Sequence, residues 1–319
     1  MAIDRQPDDE IRVAATEQDE VDADGVRADE SDVSSDYASG ALDERITANP
    51  HNTDGNERYE YHIVYRAMVD AVYLAAARER WEGAKLELEA EWRQYADEHP
   101  APRRERPGID EQAATQVEQA CKEIRETEVN IVTPAMTRIE AEDPERKLVG
   151  LEFRCKGQDR IMEKVAAALE EQPDLASPDA LAAVKDAIRY TFQYSEQHYT
   201  EGVLADIDRL KADGFELFDL RNSWAGEEYK GVNSRWWIPE TGMLFEVQFH
   251  TEISFEAKQL THQAYERIRS SPTTMAEQDE LVDFQRRACV CIPEPRGVRD
   301  IPNYPRRRDA EEGHVLRDR

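Results

Sequence analysis

The sequence predicts an α+β fold: a mixed β-sheet of about five strands, wrapped by helices and preceded by a helical region. Runs in which apolar and polar residues alternate are typical of half-buried strands, and two occur, at residues 150–156 and 243–251. From residue 59 to about 99 the apolar residues follow helical spacing instead. Beyond that region, strand-like and helix-like stretches alternate irregularly and include a hairpin, which favours α+β with a mixed sheet.

Four segments are predicted along the chain. Residues 1–58 form an acidic arm, 59–145 the helical region, 146–295 the α+β domain and 296–319 an irregular polar tail. Residues 1–60 hold 18 Asp and Glu against 5 Lys and Arg. The arm is predicted to be disordered because it is rich in charge, poor in aromatic residues and almost without apolar periodicity.

The elements follow from local patterns. Helices are predicted in the helical region over residues 59–99, 110–129 and 133–142, with Asp110 as the N-cap of the second. In the α+β domain, helices are predicted over residues 161–171, from Ser177 for a short stretch, over 201–213 and 254–269, and after Thr274. Strands are predicted at residues 150–156, 187–194 and 215–220, and a hairpin over 236–247 that turns at 240–242.

The chain is strongly acidic, with a net charge of −28 over its 319 residues. Such acidity disfavours non-specific binding to DNA or to anionic membranes, so bound nucleotides would need a local cluster of cations. It fits solubility in high salt and the acidic proteome of a GC-rich genome equally well. The sequence has no secretory signal, no run of about 18 apolar residues and only four scattered cysteines, so a cytoplasmic location is predicted.

The polar positions of the two alternating runs carry side chains that are unusual for the exposed face of a strand. The first run presents Arg154 and Lys156, and the second presents Glu246, Gln248 and His250. Half-exposed strands usually carry Thr, Ser or scattered charges at such positions. Cations on one strand, and an acid, an amide and an imidazole on another, are groups from which a phosphate-handling site is built.

Four motifs resemble, in the family's order, those of the synthetase domain of the RelA/SpoT family, the alarmone synthetases. They lie at residues 151–164, 185–190, 228–233 and 245–251, within a similarity that covers about residues 121–295. The resemblance implies a nucleotidyltransferase-like fold and makes residues 146–295 the synthetase domain. Residues 1–140 lack the separate His and the His-Asp pair that mark a metal-dependent hydrolase domain of the HD type. An enzyme with a synthetase domain but no hydrolase domain is therefore expected.

The resemblance implies transfer of a pyrophosphoryl group from ATP to the 3′-hydroxyl of a guanine or adenine nucleotide, with Mg²⁺ as cofactor. This reaction needs cations for the triphosphate, a carboxylate for the metal and a second acid near the attacking hydroxyl. The implied catalytic residues, which are also the implied metal ligands, are Asp186 and Glu246. The implied ATP-binding residues are Arg154, Lys156, Arg160 and Lys164. The implied acceptor-binding residues are Tyr229, Asn233, Gln248 and His250.

The motifs depart from the family's pattern on the acceptor side. Glu227-Glu228 stands where Asn-Gly is usual, Asn233 where His is common, and His250 where Arg is common. The acceptor therefore stays open among guanine nucleotides, adenine nucleotides and the 3′ end of tRNA, although the acidic surface disfavours tRNA. Runs such as Arg189-Tyr-Thr resemble a divergent subgroup of actinobacterial, toxin-like and phage-associated proteins.

Other functions stay open beside this one. The chain could be a catalytically inert nucleotide-binding or phage structural module with the same fold, or a delivered toxin domain that acts on nucleotides or tRNA. Residues 59–145 could bind an antitoxin or immunity protein, or join copies of the chain into a homo-oligomer.

The site residues also have structural explanations when each is considered alone. Arg154 and Lys156 could be surface charges, and Glu246 could pair with a cation on a neighbouring strand. Tyr229 could be a core aromatic residue, and histidines such as His250 and His262 are more often structural than catalytic.

Overall fold

A computed structural model describes residues 55–100, 110–172, 175–176, 180–181, 184–270 and 273–304. The chain separates into two compact units, residues 1–68 and 69–319. The first unit is described only over residues 55–68, and the account below concerns the second. Most of the predicted acidic arm, the predicted short helix at Ser177 and the end of the predicted tail lie outside the described residues. The predicted domain boundaries at 145 and 295 stay predictions.

The predicted helical region is confirmed as helical. Helix α1 (Gly55–Glu98) takes in the last four residues of the predicted arm, and α2 (Glu111–Thr127) and α3 (Thr133–Ala141) follow. Asp110 caps α2 as predicted, because its side chain accepts a hydrogen bond of 2.7 Å from the backbone N–H of Ala113. A π-helical turn, Glu128–Val132, joins α2 to α3 without a break in the helical path.

The predicted α+β class and the five-stranded mixed sheet are also confirmed. The strands are β1 (Arg146–Val149), β2 (Arg189–Tyr194), β3 (Glu216–Asn222), β4 (Val232–Ile238) and β5 (Met243–Thr251). Their order across the sheet is β1-β2-β5-β4-β3, in which β2 and β5 are parallel and the other neighbours antiparallel. The predicted hairpin is β4 and β5, and its turn lies at 239–242.

The predicted strand at residues 150–156 is wrong. Strand β1 ends at Val149, and a 3-10 turn over Leu151–Phe153 follows. Gly150 turns the chain with a φ of 64°, in the left-handed region that glycine adopts without strain. Leu151 and Phe153, which the alternation placed in the core, are 42% and 64% exposed. Only Cys155 returns to the sheet, in an isolated antiparallel bridge with Ile188.

The two faces of the sheet differ in character. One face is apolar and packs in the main core, which contains Phe192, Trp236, Phe245, Val247 and Phe249. Residues of α3 and of α5 (Tyr199–Ala212) belong to the same core. Because side chains alternate along a strand, the residues between these positions lie on the opposite, polar face.

The remaining helices confirm the predicted ones closely. They are α4 (Gln158–Glu171), α6 (Glu252–Ser270) and α7 (Met275–Val290). Thr274 caps α7 by accepting a hydrogen bond from the backbone N–H of Glu277. Helix α1 packs against this part of the molecule, since Trp81 donates a hydrogen bond of 2.9 Å to Glu256 and Trp92 contacts Phe284. Every described helix is too short or too polar to cross a bilayer.

The start of the predicted polar tail is attached to the sheet. Residues 293–304 are irregular apart from a 3-10 turn at Val298–Asp300, and Val298 and Ile301 are buried. The backbone of Tyr304 pairs with Leu220, at the outer edge of β3. This segment therefore covers an edge strand that would otherwise expose unpaired N–H and C=O groups.

Candidate active site

The polar face of the sheet carries a row of charges of alternating sign. Arg189 on β2 and Arg235 on β4 both lie beside Glu246 on the intervening strand β5, and Asp219 on β3 lies beside Arg235. Arg235 donates to Asp219 with a distance of 2.8 Å from Nε to Oδ1. A second row on the same face contains Gln248 and Asn233, two residues along each strand. The sheet register thus brings together residues from motifs up to about 60 positions apart.

Asp186, just before β2, lies at the centre of three cations. Its Oδ1 is 2.7 Å from Nζ of Lys164, and its Oδ2 is 3.1 Å from Nζ of Lys156 and 3.2 Å from Nη2 of Arg189. Burial raises the pKa of this carboxyl, but the hydrogen bond from Lys164 and the charge of Lys156 lower the pKa of Asp186 to about 2. Burial lowers the pKa of Lys156, and the charge of Asp186 opposes that effect.

Arg189 connects the two predicted catalytic acids. Its Nε is 2.8 Å from Oε2 of Glu246, while its Nη2 contacts Asp186. Glu246 thus makes the contact that its structural explanation describes, a pair with a cation on a neighbouring strand. Both acids therefore contact the same guanidinium, and carboxylates combined with cations are also the groups that a phosphoryl-transfer site uses.

A helix extends this network on the far side of Glu246. Gln248 donates from Nε2 to Oε1 of Glu246 at 2.7 Å, and Lys258 on α6 donates from Nζ to Oε1 of Gln248 at 2.5 Å. Burial and the charge of Arg189 lower the pKa of Lys258 to about 8, although Glu246 acts to raise it. The lowered pKa reflects the loss of water around the ammonium group and the nearby positive charge of Arg189.

The other two predicted ATP-binding residues lie at the margin of this network. The side chain of Arg154 is 45% exposed, and its Nε donates to Oε1 of Glu128 at 2.9 Å. Its backbone is fixed to the start of β2, because the N–H of Arg189 donates to the carbonyl of Arg154 at 2.8 Å. Arg160 instead pairs with Glu163, in the same helix, at 2.9 Å.

Three of the predicted acceptor-binding residues form a hydrogen-bonded group. The hydroxyl of Tyr229 donates to Oδ1 of Asn233 at 2.8 Å and lies 2.9 Å from Nε2 of His250. His250 Nδ1 is in turn 2.9 Å from the hydroxyl of Ser254. His250 is completely buried, and burial together with the charge of Lys258 holds its pKa well below the usual value. Its neutral ring therefore holds the hydroxyl of Tyr229 through a hydrogen bond.

Sequence reasoning assigned no role to several residues of this site. They are Glu128, Arg189, Arg235 and Lys258. For Lys258 a signal existed: Ser254, Lys258 and His262 are spaced four apart on the helix that follows β5, so they lie on one helix face. For Arg189 the position three residues after Asp186, at the start of a strand, was the available signal.

Two carboxylates of the site, Asp186 and Glu246, are the groups that could hold a metal ion. In the part of the chain that the structure describes, no three His, Cys, Asp or Glu side chains are grouped so that they could hold a metal by themselves. Asp186 and Glu246 fit Mg²⁺ in another way, since this ion is commonly bound by one or two carboxylates together with substrate phosphates.

Comparison with known proteins gives only weak likenesses. No family model matches the sequence, and no curated protein matches it. Small alarmone synthetase 1 from Bacillus subtilis, solved with its product pppGpp, is 16% identical with a TM-score of 0.39, over 57% of this chain and 92% of that chain. A GTP pyrophosphokinase family protein from Streptococcus pneumoniae is 14% identical with a TM-score of 0.32, over 62% of this chain and 87% of that chain. Scores this low do not establish a shared activity.

Proposed function

We propose that the protein is an ATP-dependent pyrophosphokinase, which transfers a pyrophosphoryl group to the 3′-hydroxyl of a guanine or adenine nucleotide. One observation carries this proposal: Asp186 lies among Lys156, Lys164 and Arg189, and Arg189 links it to Glu246. Two acids among several cations suit a polyphosphate donor and a hydroxyl acceptor. The four motifs supply the reaction class by their resemblance to alarmone synthetases.

The ATP side of the site is formed by the cations around Asp186. Lys156 and Lys164 are the phosphate-binding residues of the proposal, because both present ammonium groups at the same carboxylate. Arg154 lies beside them in the chain, and its exposed planar guanidinium suits stacking against adenine. When the triphosphate binds, its oxygens replace Asp186 as the partner of the lysines.

The chemical step proceeds by direct displacement at phosphorus. The 3′-oxygen of the acceptor attacks the β-phosphorus of ATP, the bond from that phosphorus to the α–β bridging oxygen breaks, and AMP leaves. Glu246 takes the proton of the attacking hydroxyl, and Arg189 stabilises the charge that develops on the transferred group. Gln248 holds Glu246 in place through the hydrogen bond described above.

Mg²⁺ is part of the proposal. Asp186 and Glu246 are the residues that would hold it, with the phosphates of ATP completing its coordination. When bound, the ion would neutralise part of the charge on the phosphates.

The acceptor side is formed around Tyr229, whose ring is the stacking surface for the acceptor base in this proposal. Asn233 and His250 fix the hydroxyl of Tyr229 and so set the orientation of its ring. The preceding loop is held by Arg286 of α7, which pairs with Glu227 and Glu228 at 3.2 Å each. An acidic loop beside the acceptor position favours a small nucleotide over the phosphate backbone of tRNA.

The test is direct. The purified protein is incubated with Mg²⁺, ATP labelled at the β- and γ-phosphates, and GDP, GTP, AMP or ADP in separate reactions, and the products are separated. We expect label on the acceptor and one AMP released for each product formed. Release of labelled phosphate alone, or no reaction with any acceptor, would contradict the proposal.

Matched variants identify the acids that act. Asp186→Asn and Glu246→Gln change charge with little change in shape, and each is expected to lower turnover by a factor of about 10² to 10⁴. Asp283→Asn is the control, since Asp283 is exposed on α7 and pairs only with the nearby Arg287 among the contacts described. Circular dichroism checks that each variant keeps its fold. Near-normal turnover in either site variant would remove that residue from the mechanism.

A further inference from the structure

Glu128 is a buried carboxylate whose position next to the site has no role in the proposed chemistry. Its side chain is 3% exposed, and its Oε1 is the meeting point of three donors. Thr133 Oγ1 and Tyr190 Oη lie 2.5 Å from this oxygen, and Arg154 Nε lies 2.9 Å from it. Burial acts to raise the pKa of Glu128, but the hydrogen bonds from Thr133, Tyr190 and Arg154 outweigh burial. The net pKa is lowered, so the group stays ionised.

An irregularity of the helical backbone, a π-helical turn, places Glu128 next to Arg154. Glu128 begins the π-helical turn Glu128–Val132, which inserts between two regular helices. A π-helical turn changes the direction of the side chains that follow it and is frequent at functional sites. Val132 is buried and Tyr190 belongs to β2, so the turn lies against the sheet at the point where Arg154 is attached.

Two nitrogens of the Arg154 guanidinium donate hydrogen bonds in the plane of the group. Nε donates to Glu128, and Nη1 donates to the carbonyl of Leu151 at 2.9 Å. The backbone carbonyl of Arg154 accepts from Arg189, so the residue is fixed at both ends. Contacts at the edge of the plane leave its two faces for stacking, and 45% of the side chain is exposed.

We propose that Glu128 is a positioning residue that orients Arg154 for the nucleotide base of ATP. This inference rests on the proposed function. It also gives the helical region a part in the site, because α2 and α3 carry the π-helical turn. A buried carboxylate makes a strong, directional bond to a guanidinium, which an exposed one would not.

The experiment measures KM and kcat for ATP and for the acceptor, and the affinity for inorganic triphosphate, which has phosphates but no base. Glu128→Gln is expected to raise the KM for ATP about tenfold with little change in kcat, since it removes one charge-assisted hydrogen bond. Affinity for inorganic triphosphate and the KM for the acceptor are expected to stay within a factor of about two. A general loss of structure would weaken all three.

Two further variants complete the test. Arg154→Ala is expected to raise the KM for ATP at least as much, and the double variant no more than Arg154→Ala alone, because Glu128 acts only through Arg154. Glu128→Asp keeps the buried charge but is too short to reach Arg154, so it is expected to fold and still raise the KM for ATP. Glu256→Gln is the matched control: Glu256 accepts hydrogen bonds from Trp81 and Lys85 of α1, away from Arg154.

The outcomes separate this inference from the proposed function. If the wild type forms no pyrophosphorylated product, the proposed function fails, and calorimetric binding of ATP and inorganic triphosphate still tests Glu128. If the wild type is active, unchanged ATP constants in folded Glu128→Gln and Glu128→Asp would overturn the inference. So would additive effects in the double variant, or an equal loss of affinity for inorganic triphosphate.

Discussion

Arg189 is the residue on which the candidate site depends most. Asp186 precedes β2 and Glu246 lies on β5, and two carboxylates held close together without a cation would repel each other and resist ionisation. The guanidinium of Arg189 reaches both, and its charge is one of the causes that lower the pKa of Asp186. The same pairing explains why an acidic chain can present a local site for anions.

Lys258 provides a prediction of pH dependence. Its pKa is lowered to about 8, so its charge is lost as the pH rises through 8, well below the value of about 10.4 for an exposed lysine. We expect kcat/KM for the anionic substrates to fall above pH 8 in the wild type. Lys258→Arg keeps its charge over this range and is expected to delay the fall by at least one pH unit. Coincident pH profiles for the two proteins would show that the charge of Lys258 does not contribute to kcat/KM.

Tyr229 separates acceptor binding from ATP binding. Base stacking is worth about 1–3 kcal/mol, so Tyr229→Ala is expected to raise the acceptor KM by one to two orders of magnitude and to leave the KM for ATP nearly unchanged. Tyr229→Phe keeps the ring but removes the hydroxyl that contacts Asn233 and His250. An intermediate effect is therefore expected from Tyr229→Phe. Titrations in which Tyr229→Ala alters only the ATP constant would contradict the assignment.

At the scale of elements, close packing of α5 on β2 holds the sheet that carries the site. A Cβ atom at Gly202 would lie 2.6 Å and 2.7 Å from ring atoms of Tyr194. That ring cannot move aside freely, because its hydroxyl donates to buried Asp206 at 2.6 Å and Asp206 pairs with Arg146. The helix can approach the strand only because residue 202 is glycine.

Gly202→Ala is accordingly expected to lower the free energy of unfolding by about 1–3 kcal/mol, as overpacking in a core does. Gly83→Ala is the comparison, since Gly83 lies within α1 and a Cβ atom there would meet nothing within 4 Å. That variant is expected to gain up to about 1 kcal/mol from the higher helix propensity of alanine. Urea unfolding measures both. A neutral Gly202→Ala would mean that Tyr194 adjusts without cost.

At the scale of the whole molecule, charge is distributed unevenly. Residues 1–60 hold 18 of the 69 acidic residues, whereas the candidate site gathers cations from α4, α6 and the sheet. The N-terminal charge could keep the protein soluble, or it could compete with phosphates for the cations of the site. The second effect would act mainly at low ionic strength, because the Debye length is about 8 Å at physiological salt.

Removal of residues 1–54 tests both explanations and leaves α1 whole. The shortened protein is expected to fold with the thermal stability of the full chain. Its activity is expected to be equal, or modestly higher at low ionic strength, and the difference is expected to disappear as salt is added. Activity assays across a salt series, with thermal unfolding in parallel, measure this. An unfolded or inactive product would mean that the N-terminal residues belong to the folded domain.

Local patterns predicted the fold class, the helices, the cap at Asp110 and the β4–β5 hairpin, because periodicity, capping and turns are local properties. Alternation misled at residues 150–156, where Gly150 turns the chain and leaves Phe153 exposed. The contacts that connect the site, in contrast, form only in the folded chain. Glu128 meets Arg154 across 26 positions and Arg189 meets Glu246 across 57. Such contacts depend on strand order and register, which no local pattern encodes.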